Sequence, residues 1–145
     1  MACLIDTGVL SRAFDVAYPG YRQVRRSLRT LWKGQTRLIV TLQNVAEFWN
    51  VSTRPIDKNG YGLSAERVSK RLVLIERMFE IVTEDDSSYR HWKDLLSIHS
   101  ITGVAVHDAR LVSVMLANDV LTILTLNERD FRRYTAITVI TPDND

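Results

Sequence analysis

Short apolar, β-prone runs alternate along the chain with longer stretches in which apolar positions recur every three or four residues. Cys3-Leu4-Ile5 reads as a strand, Tyr21 to Lys33 as a basic helix, Leu38 to Thr41 as a second strand and Gln43 to Thr53 as a second helix. After Arg54-Pro55 the stretch "PIDKNGYGLS", with Asn59-Gly60 and Gly62, reads as a loop. Ser64 then opens an amphipathic helix in which Val68, Leu72, Ile75 and Phe79 fall at helical spacing. Phe79 to Val82 fits a strand, Ser87 to His99 a helix, His107 to Ala117 a strongly apolar helix and Leu121 to Thr125 a strand. A short helix near Glu128 to Arg132 and a last strand, Ile137 to Ile140, complete the pattern.

Strands joined by helices need crossover connections, so the alternation predicts an α/β fold with a mainly parallel sheet. No repeat, low-complexity tract or linker interrupts it, and residues 1–145 are expected to form one domain. In parallel sheets, sites form outside the carboxyl ends of the strands. Asp6 and the residues after Val40 and Leu124 lie at such ends.

Composition narrows the function classes. Hydrophobic residues make up 46% and charged residues 25%, as in ordinary globular chains. A net charge of +2 is too small to argue for nucleic acid by itself, so any polyanion site has to come from local clustering. The single cysteine, Cys3, excludes an internal disulfide and argues against redox chemistry. No basic leader precedes the first apolar run, which Asp6 breaks, and no run of about 18 apolar residues occurs. A cytoplasmic protein without a membrane span is expected.

The informative residues are acids and amides set in apolar surroundings. Asp6 follows the first strand, Glu47 lies in "TLQNVAEFWNV", Asp108 in "GVAVHDARLVSVMLA", and Asn127 and Asp130 in "TLNERDF". In a parallel sheet these positions converge above one edge. Two unit charges about 4 Å apart repel by roughly 4 kcal/mol at an effective dielectric of 20, so such a cluster takes up protons or binds cations. Oxygen-only ligation selects hard ions, Mg²⁺ or Mn²⁺, which serve phosphodiester hydrolysis. Each acid also has a plainer reading: Asp6 as a helix N-cap before Thr7 and Gly8, Glu47 as an exposed helix residue, Asp108 as a partner of the helix dipole, Asp130 as a cap.

Together, "LIDTGVL", "TLQNVAEFWNV", "VHDARLVSVM" and "LTLNERDF", in that order, resemble the PIN-domain ribonucleases, in particular toxins of bacterial toxin–antitoxin pairs. The "TRPIDKNGYGLS" loop also looks like one in a subset of that family. The resemblance covers essentially the whole chain. It implies a three-layer α/β/α sandwich, an Mg²⁺- or Mn²⁺-dependent endoribonuclease, an RNA substrate, a cognate antitoxin that inserts an arm into the acidic cleft, and a homodimer. Position by position it implies Asp6, Glu47 and Asp108 as acidic metal-site residues and Thr7 as a hydroxyl that holds the first carboxylate or a water. At the fourth corner many members carry an aspartate where this chain has Asn127, an uncharged ligand, while Asp130 matches the aspartate before the phenylalanine.

Phosphate contacts need positive charge. Arg22, Arg25, Arg26, Arg29, Lys33 and Arg37 fall within sixteen residues, and Arg54, Lys58, Arg129, Arg132 and Arg133 lie nearer the acids along the chain. Arg25, Arg29, Arg54 and Arg129 are the candidate RNA contacts. A solvated helix face is the other reading of the first cluster, and in the toxins it resembles this region also contacts the antitoxin. His107 is a candidate base that an activated water makes unnecessary; His91 and His99 read as surface or core, Trp49 and Trp92 as core. Two further readings stay open. One is a non-catalytic RNA-binding or scaffold module with a degenerate metal site, supported by Asn127. The other is an aspartyl-phosphate enzyme similar to the haloacid-dehalogenase phosphatases, in which Gly8 stands where the second aspartate is needed.

Overall fold

A computed structural model describes residues 1–142; the last residues of the expected domain, 143–145, lie outside the described part. Five strands form one sheet: β1 (Ala2–Ile5), β2 (Arg37–Thr41), β3 (Glu80–Val82), β4 (Thr122–Leu124) and β5 (Thr138–Ile140). Their order is β3-β2-β1-β4-β5 and every pairing is parallel. Helices α1 (Thr7–Arg12), α2 (Tyr21–Lys33), α3 (Leu42–Thr53), α4 (Ala65–Met78), α5 (Asp86–Ile98) and α6 (Ala105–Ala117) fill the connections.

The central strands are apolar on both faces because both are covered. Cys3 and Ile5 of β1, Leu38 and Val40 of β2 and Leu124 of β4 face one core with Val9, Leu10, Val24, Leu28, Phe48, Val68 and Ile75 from α1 to α4. The alternate positions, Leu4, Ile39 and Ile123, face a second core built by Leu95 of α5 and Leu111, Val112 and Met115 of α6. This is the expected three-layer sandwich. The chain steps outward from β1 to β3 and then returns to β4 on the other side of β1, so the direction of winding reverses between β1 and β4. In such a fold a crevice opens at that reversal, beyond the strands' carboxyl ends.

Local chemistry sets the helix starts. Thr41 and Asn44 form a reciprocal cap on α3, Asp85 and Ser88 one on α5, and Ser64 accepts the Arg67 N–H to cap α4. Helix α3 stops at Arg54, before Pro55. In the following loop a Cβ on Gly60 would stand 2.0 Å from the Arg54 carbonyl oxygen, so only glycine fits there.

Several boundaries differ from the sequence reading. Helix α1 does not figure among the predicted elements, because six residues hold too little periodicity to betray a helix. Helix α6 begins at Ala105, two residues before the expected start at His107, and the short helix near 128–132 is a 3₁₀ turn, Glu128–Asp130. No helix among the described residues is long and apolar enough to cross a membrane.

Candidate active site

Asp6 stands where β1 becomes α1, and its carboxylate caps the helix as one of its readings from sequence has it. Its Oδ1 accepts the Thr7 N–H at 2.9 Å, capping α1, while its Oδ2 accepts the Thr125 hydroxyl at 2.7 Å from the end of β4. The carboxylate is only 9% exposed. Burial pushes its pKa upward against these two hydrogen bonds, and the charges of Glu47 and Asp130 push the same way. Asp108, in the first turn of α6, is raised to about 6, by burial first and then by Asp130, Asp6 and Glu47.

Asp6 and Asp108 thus share the influence of Glu47 and Asp130 near the carboxyl ends of β1 and β4. Among the described residues no three His, Cys, Asp or Glu side chains stand together as a set that could hold a metal ion. Of the leading influences on Asp108, His107 alone acts to lower it. Asn127 is exposed; its backbone N–H donates to the Thr125 hydroxyl at 3.0 Å.

A directed chain of hydrogen bonds holds Glu47. The Thr41 N–H and hydroxyl both donate to Asn44 Oδ1 at 2.9 Å, which leaves the Asn44 amide nitrogen to donate to Thr7 Oγ1 at 3.0 Å. The Thr7 hydroxyl is thereby turned to donate to Glu47 Oε2, at 2.7 Å. Gln43 Nε2 donates to Glu47 Oε1 and to the His107 carbonyl, both at 3.1 Å, tying α3 to α6 beside the acids. Thr7 therefore acts on Glu47 through its hydroxyl, while Asp6 receives the Thr7 backbone N–H.

Thr125, Asn44 and Gln43 escaped the sequence reading. Thr125 and Asn44 are completely buried, and a polar residue at the carboxyl end of an apolar strand, the signal that singled out Asp6, also marks Thr125. Replacing Thr125 by Val keeps the shape but removes the donor to Asp6 and the acceptor of the Asn127 N–H. A stability loss of about 1–2 kcal/mol in urea titration and a 10–100-fold loss of divalent-ion affinity are expected. Unchanged Mn²⁺ affinity would assign Thr125 to the fold alone.

Of the candidate phosphate contacts, Arg25 and Arg29 are exposed on α2, with Arg25 Nε donating to the Tyr21 hydroxyl at 3.0 Å. Tyr21, Arg22, Arg25, Arg26 and Arg29 line a common groove. Arg129 is exposed in the turn after β4. Arg54 faces its own loop, its guanidinium donating to the Asn59 carbonyl at 2.9 Å. Arg37 is held by Glu80 across the β2–β3 pair at 2.7 Å, and Arg132 by Glu128 at 2.7 Å. The His107 side chain is exposed, His99 packs edge-on against Tyr134 at 5.0 Å, and Trp49 packs on the first core.

Residues 3–137 match the family model described as PIN domain. Comparison with curated proteins finds no relative by sequence. Among solved structures, the chain is similar to one in a VapBC complex from Rickettsia felis bound to a DNA fragment from its promoter. That match has a TM-score of 0.74 and 18% identity over 99% of this chain and 100% of that one. It is also similar to a chain of a toxin–antitoxin complex from Klebsiella pneumoniae, with a TM-score of 0.67 and 18% identity over 99% of both. A sarcin–ricin-loop-cleaving VapC toxin of Mycobacterium tuberculosis matches with a TM-score of 0.58 and 12% identity, over 83% of this chain and 86% of that one. At these identities the likeness is one of fold.

Proposed function

This chain belongs to the PIN-domain family, and from that premise we propose that it is a divalent-metal-dependent endoribonuclease, the toxin of a toxin–antitoxin pair. The observation that carries the reading is the hydrogen-bonded framework that sets buried Asp6 against the end of β4 and ties Glu47 both to Thr7, beside Asp6, and through Gln43 to His107, beside Asp108. The donor set fits Mg²⁺ or Mn²⁺: it is all oxygen, it carries excess negative charge, and burial raises the pKa of Asp6 and Asp108 in a way that a cation would relieve.

In this reading Asp6, Asp108 and Glu47 hold the ion, with Asp130 as the charged fourth corner and Asn127 as an uncharged ligand beside it. Asp130 is favoured because its charge reaches both Asp6 and Asp108. When bound, Mg²⁺ or Mn²⁺ supplies positive charge at the scissile phosphate and lowers the pKa of an attacking water. The chain's own residues do the rest. Thr125 and the Thr7 N–H orient Asp6, and the Thr41–Asn44–Thr7 chain and Gln43 orient Glu47. Arg129, exposed beside the fourth corner, and Arg25 and Arg29 farther out serve phosphate contacts.

A cognate antitoxin partner is supported by the complexes in which similar folds occur. The exposed apolar side chains of Val73, Leu74 and Met78 on α4 suit such a protein surface. End-labelled single-stranded RNA incubated with the protein and Mn²⁺ is expected to yield internal cleavage fragments. Intact RNA, with Mn²⁺ bound no better than by Asp6→Ala, would establish the scaffold module in its place.

A further inference from the structure

A cleft of about 300 Å³ opens between α5 and α6, walled by Tyr89, Trp92 and Val106. That volume lies at the lower end of small-ligand sites. The Tyr89 and Trp92 rings are 6.2 Å apart, and the Trp92 indole N–H donates to the Val106 carbonyl at 3.1 Å, fixing its position against α6. Tyr89 is 59% exposed, an aromatic face left open to solvent. His107 and Arg110 line both this cleft and the shallow groove that contains Gln43 and Glu47, so the cleft adjoins the Glu47 edge of the site.

Building on the nuclease reading above, we propose that this cleft is a nucleobase pocket that selects, with preference for guanine, a single-stranded nucleotide next to the cleaved bond. Exposed aromatic rings are the usual platform for an unpaired base. The polar side of the cleft holds the carboxylates of Glu84 and Asp85. Glu84 is engaged by Arg110, while Asp85, an exposed residue, gives one oxygen to the Ser88 N–H. A carboxylate only accepts hydrogen bonds, so it repels phosphate and favours a base edge that donates. Guanine offers adjacent N–H donors; uracil offers one between two carbonyl oxygens.

Two measurements test the pocket, one of them independent of catalysis. Guanosine titrated into the metal-free protein should shift the Trp92 indole N–H resonance, with uridine binding roughly tenfold more weakly. Tyr89→Ala should weaken guanosine at least about fivefold, and Tyr89→Phe should restore it. In cleavage assays Tyr89→Ala should raise KM by a similar factor with kcat nearly kept, and guanine should lose its enrichment beside the cut bonds. No resonance shift, together with unchanged KM and cut sites in Tyr89→Ala, overturns the pocket and leaves the nuclease reading standing. Guanosine binding that depends on Tyr89 in a protein that cuts no RNA keeps the pocket and removes the nuclease.

Discussion

Replacing Asp6 or Asp108 by Asn is expected to lower RNA cleavage by about a thousandfold or more without loss of the fold. Both carboxylates feel like charges nearby, and in the proposed function each serves as an anion to hold the cation. In Asp6→Asn the new amide would still accept the Thr7 N–H through its oxygen, and its nitrogen would donate to Thr125 in reverse of the present bond. Removing a buried charge that the fold leaves under-compensated should keep or raise the melting temperature in chelator. For Asp108, partly exposed, the gain is roughly 1 kcal/mol after allowing for solvent screening. Cleavage within tenfold of the unsubstituted protein in either variant would remove that carboxylate from the site. A collapse of the melting temperature would mark it as structural.

The second large effect is thermal. Saturating Mn²⁺, at about a hundred times its dissociation constant, should stabilise the protein by about 2.7 kcal/mol, or roughly 9 °C for a domain of this size. The pH dependence follows from Asp108. Its folded pKa of about 6 lies above the ordinary 3.8, so its contribution to metal-free stability is present below the ordinary value and lost as pH rises through about 6. The metal-free protein should therefore gain stability on acidification across that window. The Mn²⁺-induced rise should shrink as pH falls below about 6, because the ion then competes with a proton. Differential scanning calorimetry of the protein and of Asp6→Asn, with Mn²⁺ and with EDTA, checks both. A rise of equal size in Asp6→Asn would place the ion elsewhere.

The sheet and its helices were legible in the sequence because both faces of β1, β2 and β4 are covered, which writes short continuous apolar runs between amphipathic helices. The acids Asp6, Glu47 and Asp108 stood out for a related reason: charges beside apolar runs are expensive, so they invite a question. Other features depend on contacts far apart along the chain. Arg37 reads as part of a basic cluster, yet its partner Glu80 becomes a neighbour only when β3 pairs with β2. Arg54 reads as a candidate RNA contact by its charge, and its hydrogen bond to the Asn59 carbonyl is visible only once the loop is folded. Thr125 shares with Asp6 its place at the end of an apolar strand, but Thr125 and Asn44 carry no charge, and their partners Asp6 and Thr7 become visible only in the fold. The fourth corner, Asn127 or Asp130, is not separable in the sequence, because the influence of Asp130 on Asp6 and Asp108 depends on the fold.

Everything proposed for this site depends on the carboxylate cluster cleaving RNA by holding a divalent cation. The decisive experiment follows cleavage of a single-stranded RNA while EDTA is added and then overcome with excess Mg²⁺ or Mn²⁺. Cutting should stop in EDTA and return with either ion in the unsubstituted protein, and should not return in Asp6→Asn. Cleavage that continues undiminished in EDTA would refute the metal mechanism.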